Sequence, residues 1–128
     1  MLKGRKGFTL IELLIVVAII GIIAAIAVPT LISTRGAAIQ SKATANLRTL
    51  SSAQTAYLAK YGEYVDWATL TGGDADGVIY LDSRWVNPFT EDGIDYAESG
   101  PGDAAGFEAT ATLPNGTVLT IDETGQIQ

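Results

Sequence analysis

The sequence predicts an α+β fold: a long N-terminal α-helix whose C-terminal half packs on a small antiparallel β-sheet. Three observations predict it. Residues 13–28 carry no charged or hydrogen-bonding side chain, so the first half of the helix is suited to a membrane. Residues 39–61 repeat apolar side chains at helical spacing, and residues 78–128 alternate apolar and polar side chains between turns.

The apolar run, extended by Phe8–Leu10 and Leu31–Ile32, is about 20 to 25 residues long, enough for a helix to cross a bilayer. Lys3, Arg5 and Lys6 precede it. Basic residues before a first membrane segment favour a cytoplasmic N-terminus and a translocated C-terminal part.

The second half of the helix is predicted to be amphipathic and to end at Tyr61-Gly62. Its predicted buried face consists of Ile39, Ala43, Leu47, Leu50, Ala53, Tyr57 and Tyr61. The polar side chains predicted to lie largely on other faces are Gln40, Lys42, Asn46, Arg48 and Ser52.

Residues 62–77 are predicted to form a loop, and residues 78–128 a sheet of three or four strands. Val78–Leu81 is a short β-prone run, and Ser99–Ala105 is predicted to be a Gly/Pro-rich loop. Asn115-Gly116 between two alternating runs predicts a tight hairpin.

Composition excludes several functions. The chain has no cysteine and no histidine, so Ser–His and Cys–His catalytic arrangements are impossible, and neither an enzyme nor a cofactor is predicted. The net charge is −6, and after Gly62 the only basic residue is Arg84. Direct nucleic-acid binding is not expected, because phosphate contacts need clustered Lys and Arg.

Four aspartates are weak calcium candidates: Asp74 and Asp76, and Asp92 and Asp95 near Glu91. Calcium takes six to eight oxygen ligands, so neither cluster alone suffices, and ordinary solvated loop acids explain both. Without cysteine, the C-terminal end must be held by pairing within residues 117–127, by packing, or by a metal.

Glu12 lies near the start of the apolar run, where a carboxylate is costly. An ordinary secretory signal, with Ala25-Ile26-Ala27 as an A-x-A cleavage site, gives this acid no role. An uncleaved membrane anchor leaves it equally unexplained.

The stretch Gly7-Phe8-Thr9-Leu10-Ile11-Glu12 resembles the type III signal of type IV pilins and of type II secretion pseudopilins. The resemblance implies cleavage between Gly7 and Phe8 by a prepilin peptidase, followed by N-methylation of Phe8. It also implies the pilin lollipop form, in which a sheet wraps the second half of a long helix.

The implied layout has a removable leader at residues 1–7 and a transmembrane or filament-core helix at residues 8–35. A globular head follows at residues 36–128, made of an amphipathic helix (36–61), a loop (62–77) and an antiparallel sheet (78–128).

The resemblance also implies roles in assembly. Glu12 would pair with the Phe8 amine of a neighbouring subunit; the alternative is that Glu12 snorkels to the interface or meets its own helix dipole. The stretch from Gly21 to Pro29 would lose helical structure when packed, and a simple kink is the alternative.

The implied function is that of a structural subunit polymerising into a type IV pilus filament for adhesion, motility or DNA uptake. The alternative is a pseudopilin forming a short periplasmic pseudopilus. Implied partners are further copies of the chain, the prepilin peptidase, an inner-membrane platform and an assembly ATPase. The chain would begin as a single-pass inner-membrane precursor.

Overall fold

The structure, a computed structural model, describes Gly4 and residues 7–128, with Pro101 described by its backbone alone. The elements are α1 (Leu10–Tyr61), α2 (Trp67–Gly72), β1 (Phe89–Glu91), β2 (Ile94–Asp103), β3 (Gly106–Thr112) and β4 (Val118–Asp122). A long, initially apolar helix followed by an antiparallel sheet confirms the predicted α+β fold. The chain divides into two compact units, Met1–Ala37 and Ala38–Gln128, and α1 contributes to both.

The first unit contains the apolar part of α1. The helix begins at Leu10, so Phe8, where it was predicted to begin, lies just outside it. Residues 10–37 are all exposed, although nearly all are apolar. Within the described residues, α1 is the one helix that is long and apolar enough to cross a membrane, judged by length and composition.

The second unit, here called the head, is built around the predicted stripe of α1. Ala43, Leu47 and Leu50 are completely buried, and Ala53 and Tyr57 are nearly so. Ile39 and Tyr61 are partly buried against the same core, which confirms the predicted face.

Two amides on this buried face were not predicted. Asn46, expected on a polar face, is buried. Its Nδ2 donates to the Tyr96 hydroxyl at 2.9 Å and to Glu91 Oε2 at 3.1 Å. Gln54 is fully buried: its Nε2 donates to the Val65 carbonyl at 2.5 Å, and its Oε1 accepts from the Val65 N–H at 3.1 Å. A buried amide is tolerated when its hydrogen bonds are made.

The four strands form one antiparallel meander in the order β1-β2-β3-β4. The predicted Asn-Gly hairpin joins β3 to β4, where the Leu113 N–H donates to the Thr117 carbonyl at 2.8 Å and Gly116 adopts φ +84°. The inward face of β2, β3 and β4 consists of Ile94, Tyr96, Phe107, Ala109, Ala111, Leu119 and Ile121, all buried.

The prediction of a β-prone run at Val78–Leu81 was wrong. The structure forms no strand there, because the Tyr80 and Leu81 N–H groups both donate to the Leu70 carbonyl at 3.0 Å. Their backbone groups thus bind the end of α2 and not the sheet.

The predicted loop Ser99–Ala105 is largely strand. β2 continues to Asp103 through two irregularities in its pairing with β3. Glycines make this possible: a Cβ at Gly100 would lie 3.0 Å from the Glu108 Cβ, and one at Gly102 would lie 2.2 Å from the Val65 carbonyl carbon.

The predicted loop 62–77 contains the short helix α2. Asp66 is its N-cap, with Oδ1 accepting from the Thr69 N–H at 2.8 Å. An Asp cap followed by Trp67 and Leu70, both buried, gives this segment one apolar turn to place in the core.

The C-terminal end is held by strand-like pairing, one of the three predicted possibilities. Ile121 and Ile127 form an antiparallel bridge. Thr120 and Gln128 exchange two backbone hydrogen bonds of 2.9 and 3.0 Å.

Leu47→Ala is expected to destabilise the head by about 2 to 5 kcal/mol, because it leaves a cavity in a fully packed site. Trp67 and Trp85 are both buried, with ring centroids 5.4 Å apart, so their fluorescence reports unfolding of the full chain in detergent and urea. Ile79→Ala, at a 63% exposed position, is the control and should change the free energy of unfolding by less than about 0.5 kcal/mol. Equal effects of the two substitutions would contradict this description of the core.

Candidate functional site

The first candidate site is the start of α1. Gly7, Phe8 and Thr9 precede the helix, and Phe8 is 88% exposed. The Thr9 carbonyl accepts from the Leu13 N–H at 3.3 Å, which makes Thr9 the residue that caps the helix.

Thr9 and Glu12 form a capping box. Glu12 Oε2 accepts from both the Thr9 N–H and the Thr9 hydroxyl at 2.8 Å, and the Glu12 N–H donates to Thr9 Oγ1 at 3.3 Å. These bonds satisfy backbone donors that the first helical turn otherwise leaves open. Glu12 therefore has a hydrogen-bond partner inside its own chain.

Thr9 is the functional residue that sequence reasoning missed. The signal was present, because Thr-x-x-Glu directly before an apolar run is the usual capping-box pattern. The Thr9 N–H belongs to the Phe8–Thr9 peptide bond, so cleavage before Phe8 would leave the box intact.

The carboxylate is anchored by one oxygen. Among the described residues, hydrogen bonds reach Oε2 of Glu12 and none reaches Oε1. The next basic residue along the chain is Arg35, far beyond one helical turn. The site can thus accept a cationic donor at Oε1 without breaking the cap.

Gly21 and Pro29 lie within continuous α-helix in the single chain. A Cβ at Gly21 would meet nothing within 4 Å, so this glycine does not serve close packing inside its own unit. Pro29 has no N–H and removes one internal helical hydrogen bond. The predicted loss of helix between them is a property of the packed state and stays a prediction.

The second candidate site is an ion-pair cluster where α1 ends. Lys60 Nζ lies 2.8 Å from Asp74 Oδ2 and 2.7 Å from Asp76 Oδ2. The Tyr80 hydroxyl donates to Asp74 Oδ2 at 2.7 Å, and the Asp76 and Val78 N–H groups both donate to Asp74 Oδ1 at 2.9 Å. The Asp74 side chain is fully buried, whereas that of Asp76 is 67% exposed.

This arrangement keeps Asp74 ionised. Burial alone would raise the pKa of Asp74, but the Lys60 ammonium, the Val78 N–H and the Tyr80 hydroxyl outweigh burial and hold the pKa well below its usual range. The hydrogen bonds to Asp74 and Asp76 raise the pKa of Lys60. The loop 73–80 is thereby tied to the end of α1.

The other two calcium candidates also have protein partners. Asp92 forms an ion pair with Lys42, which lowers the pKa of Asp92. Asp95 Oδ1 accepts from the Thr90 hydroxyl at 2.6 Å. Across Gly4 and residues 7–128, no group of three or more acidic side chains is arranged to hold a metal ion.

Comparison with known proteins adds the family. Residues 2–28 match the model described as the prokaryotic N-terminal methylation motif. The type IV major pilin protein PilA of Myxococcus xanthus is 49% identical over 68 residues, which cover 53% of this chain and 31% of that protein. The type IV wide pilus major component PilA4 of Thermus thermophilus is 43% identical over 63 residues, 49% of this chain and 48% of that protein.

A different kind of relative matches nearly end to end. The type II secretion system core protein G of Escherichia coli is 27% identical over 131 aligned positions, covering 93% of this chain and 88% of that protein. The chain thus spans less than half the length of the two pilins, but most of the length of the secretion protein.

The methylation motif, the apolar helix and the antiparallel head together define a subunit with the pilin fold. The chain is similar to type IV pilins over its N-terminal methylation motif and about half of its length, and to a type II secretion core protein over most of its length.

Asp74→Asn is expected to remove part of the acid sensitivity of the head. A lowered folded-state pKa stabilises the fold above the unfolded value of 3.8, and this contribution is lost as the pH falls from about 5 through the folded-state pKa. At pH 7 the variant should unfold at lower urea than the parent chain, and the difference between the two midpoints should shrink as the pH falls below 3.8.

Asp76→Asn is the matched comparison, because Asp76 shares Lys60 but is mostly exposed. Its effect at pH 7 should be smaller, since solvent screens an exposed pair. The measurement is the urea midpoint of unfolding of both variants and the parent chain, followed by tryptophan fluorescence from pH 7 to pH 2. Parallel curves for Asp74→Asn and the parent chain would contradict the assignment.

Proposed function

We propose that this chain is the structural subunit of a type IV pilus filament, cleaved between Gly7 and Phe8 and N-methylated on Phe8. The observation that carries the proposal is the exposed apolar surface of α1 directly behind the methylation motif. From Leu13 to Val28 this surface has no polar side chain, and it has no partner within its own unit. Such a surface needs lipid or other copies of the same helix around it.

Two environments meet this need. In the membrane, the apolar helix is surrounded by lipid tails; in a filament, by the helices of other subunits. Because lipid is as apolar as a leucine side chain, burial alone does not favour leaving the membrane. A specific polar contact is required to select the polymer.

Glu12 supplies this contact. After cleavage the Phe8 amine is a cation, and the free Oε1 of Glu12 can accept from the amine of a neighbouring subunit while Oε2 keeps its bonds to Thr9. A buried carboxylate without a cation is strongly disfavoured, so the pairing draws the next subunit in and fixes its axial stagger.

The names of the relatives support a pilus. The Myxococcus xanthus and Thermus thermophilus proteins are major pilus components, and they are 49% and 43% identical to this chain over 68 and 63 residues. A pseudopilin of type II secretion is the second candidate, favoured by the alignment with protein G over 93% of the chain. Both use the same N-terminal chemistry and differ in where the fibre ends.

The proposal includes the site of action and the partners. The subunit waits in the inner membrane with its N-terminus in the cytoplasm, as Lys3, Arg5 and Lys6 favour. A prepilin peptidase processes it, and a membrane platform with an assembly ATPase extracts it into the fibre. The fibre serves adhesion, motility or DNA uptake.

The head itself has neither a catalytic nor a nucleic-acid role in this proposal. Removing residues 1–7 takes away three basic side chains and changes the side-chain charge from −6 to −9. A surface of that charge repels phosphate, so any capture of DNA falls to another subunit.

Mass spectrometry of the N-terminal peptide tests the proposal directly. N-methylated Phe8 is expected in fibres sheared from the cell surface, compared with the membrane fraction of the same cells. N-methylated Phe8 confined to membranes would favour the pseudopilin. A chain beginning at Val28 or at Met1 would refute both.

Glu12→Ala and Glu12→Gln separate pairing from capping. Glutamine keeps an oxygen that can accept from Thr9 but loses the charge. Both variants should still be cleaved and methylated, and both should give about tenfold fewer sheared fibres than the parent chain, because neither offers a counterion to the amine. Normal fibre yield for Glu12→Gln would show that capping, and not charge pairing, is what Glu12 provides.

A further inference from the structure

Two threonine hydroxyls lie in the apolar part of α1, immediately beyond Pro29. The Thr30 hydroxyl donates to the Ile26 carbonyl at 3.0 Å, and the Thr34 hydroxyl donates to the Thr30 carbonyl at 2.8 Å. Both therefore bind the carbonyl four residues earlier. Thr30 is also the first residue with a hydrogen-bonding side chain after Glu12.

Pro29 lies next to the first of these two bonds and removes a backbone donor there. Because proline has no N–H, the Ala25 carbonyl lacks its normal helical donor. The next carbonyl along the chain is that of Ile26, which the Thr30 hydroxyl reaches. In an apolar environment every open carbonyl is costly, and Ser or Thr hydroxyls are among the few groups that can satisfy one near a proline.

The Thr30 hydroxyl also competes with its own backbone. A hydroxyl that binds the carbonyl four residues back shares it with the helical N–H and weakens that bond. If the helix opens between Gly21 and Pro29, the Ile26 carbonyl loses the backbone N–H but can keep the hydroxyl. The hydroxyl bond therefore destabilises the intact helix only slightly, and it stabilises the state in which residues 21–29 have opened.

We propose that Thr30 is a positioning residue for assembly: its hydroxyl satisfies the Ile26 carbonyl and so permits the Gly21–Pro29 segment to open when a second copy of this chain packs against it. This inference rests on the proposed function, since it concerns the filament. The occupant of the opened segment is the apolar helix of another subunit.

Thr34 provides a matched control within the chain. Its hydroxyl makes the same kind of bond, at a slightly shorter distance, but its acceptor is the Thr30 carbonyl, beyond the proline. Thr30→Val and Thr34→Val each remove one hydroxyl and keep the side-chain shape. Only the first removes a donor next to the carbonyl that Pro29 leaves open.

The experiment uses the full chain, expressed and processed in cells. Fibres are sheared off and quantified, and N-methylation of Phe8 is checked for each variant by mass spectrometry. Carbon-13 shifts of Ala24, Ala25 and Ala27 are then recorded by solid-state NMR in fibres and in lipid bilayers.

In the parent chain we expect helical shifts in bilayers and non-helical shifts in fibres. Thr30→Val should be processed normally but should lower fibre yield by about fivefold, the net worth of one hydrogen bond, and its remaining fibres should retain helical shifts. Thr34→Val should match the parent chain in both respects.

Three results would overturn the inference: parental yield and shifts for Thr30→Val, an equal loss for Thr34→Val, or helical shifts in parental fibres. Each of them leaves the proposed function standing, because parental fibres have formed. Absence of any parental fibre would instead refute the proposed function, and this inference with it.

Discussion

An apolar helix surface without a partner in its own unit is the constraint on which the rest of this molecule depends. Of the twenty large hydrophobic side chains that are exposed among the described residues, sixteen lie between Phe8 and Ile32. A chain of 128 residues with so much uncovered apolar surface needs lipid or other apolar helices around it. Polar groups lie at both ends of this surface: the capped carboxylate of Glu12 and the Pro29-Thr30 pair. They are important because every side chain between them is apolar.

The head follows a different rule, since it completes its own core. The stripe of α1 from Ala43 to Tyr57 is covered by the sheet, and its two buried amides, Asn46 and Gln54, are hydrogen-bonded. A purely apolar stripe could rotate or slide against the sheet with little penalty. Asn46 binds Tyr96 of β2, and Gln54 binds Val65 in the segment between α1 and α2. These bonds specify the position of the helix against the sheet and against that segment as well as stabilising it.

Structural features that depend on periodicity or on one strong local signal could be predicted from the sequence. The buried face of α1, the alternation of β3 and β4 and the Asn-Gly hairpin were all predicted, because a helical stripe and a pleated strand each leave a fixed spacing. The path of residues 62–105 was not. Val78–Leu81 has strand-like residues, yet its N–H groups bind Leu70, and Ser99–Asp103 has loop-like residues, yet it pairs with β3. Both outcomes depend on partners distant in sequence, which local pattern does not record.

The candidate site shows the same division. Gly7, Phe8 and Glu12 form a short motif and could be recognised directly. The bond between Thr9 and Glu12 could also be predicted from the sequence, because a capping box is a local Thr-x-x-Glu pattern. The Lys60 cluster could not be read from sequence: Asp74 and Asp76 have the spacing of metal ligands, and only the fold brings a lysine from the end of α1 to neutralise them.

The pairing of Gln128 with Thr120 has a consequence for crowding. A sheet normally ends in a row of open N–H and C=O groups, which are a template for strands from other molecules. Here the outer edge of β4 is closed by residues 127 and 128. On the opposite side β1 covers residues 94–96 of β2, and farther along β2 the Glu98 N–H donates to Asn87 and the Asp103 carbonyl accepts from the Tyr64 N–H. Heads brought together at very high local concentration can therefore lie side by side without their sheets merging into an aggregate.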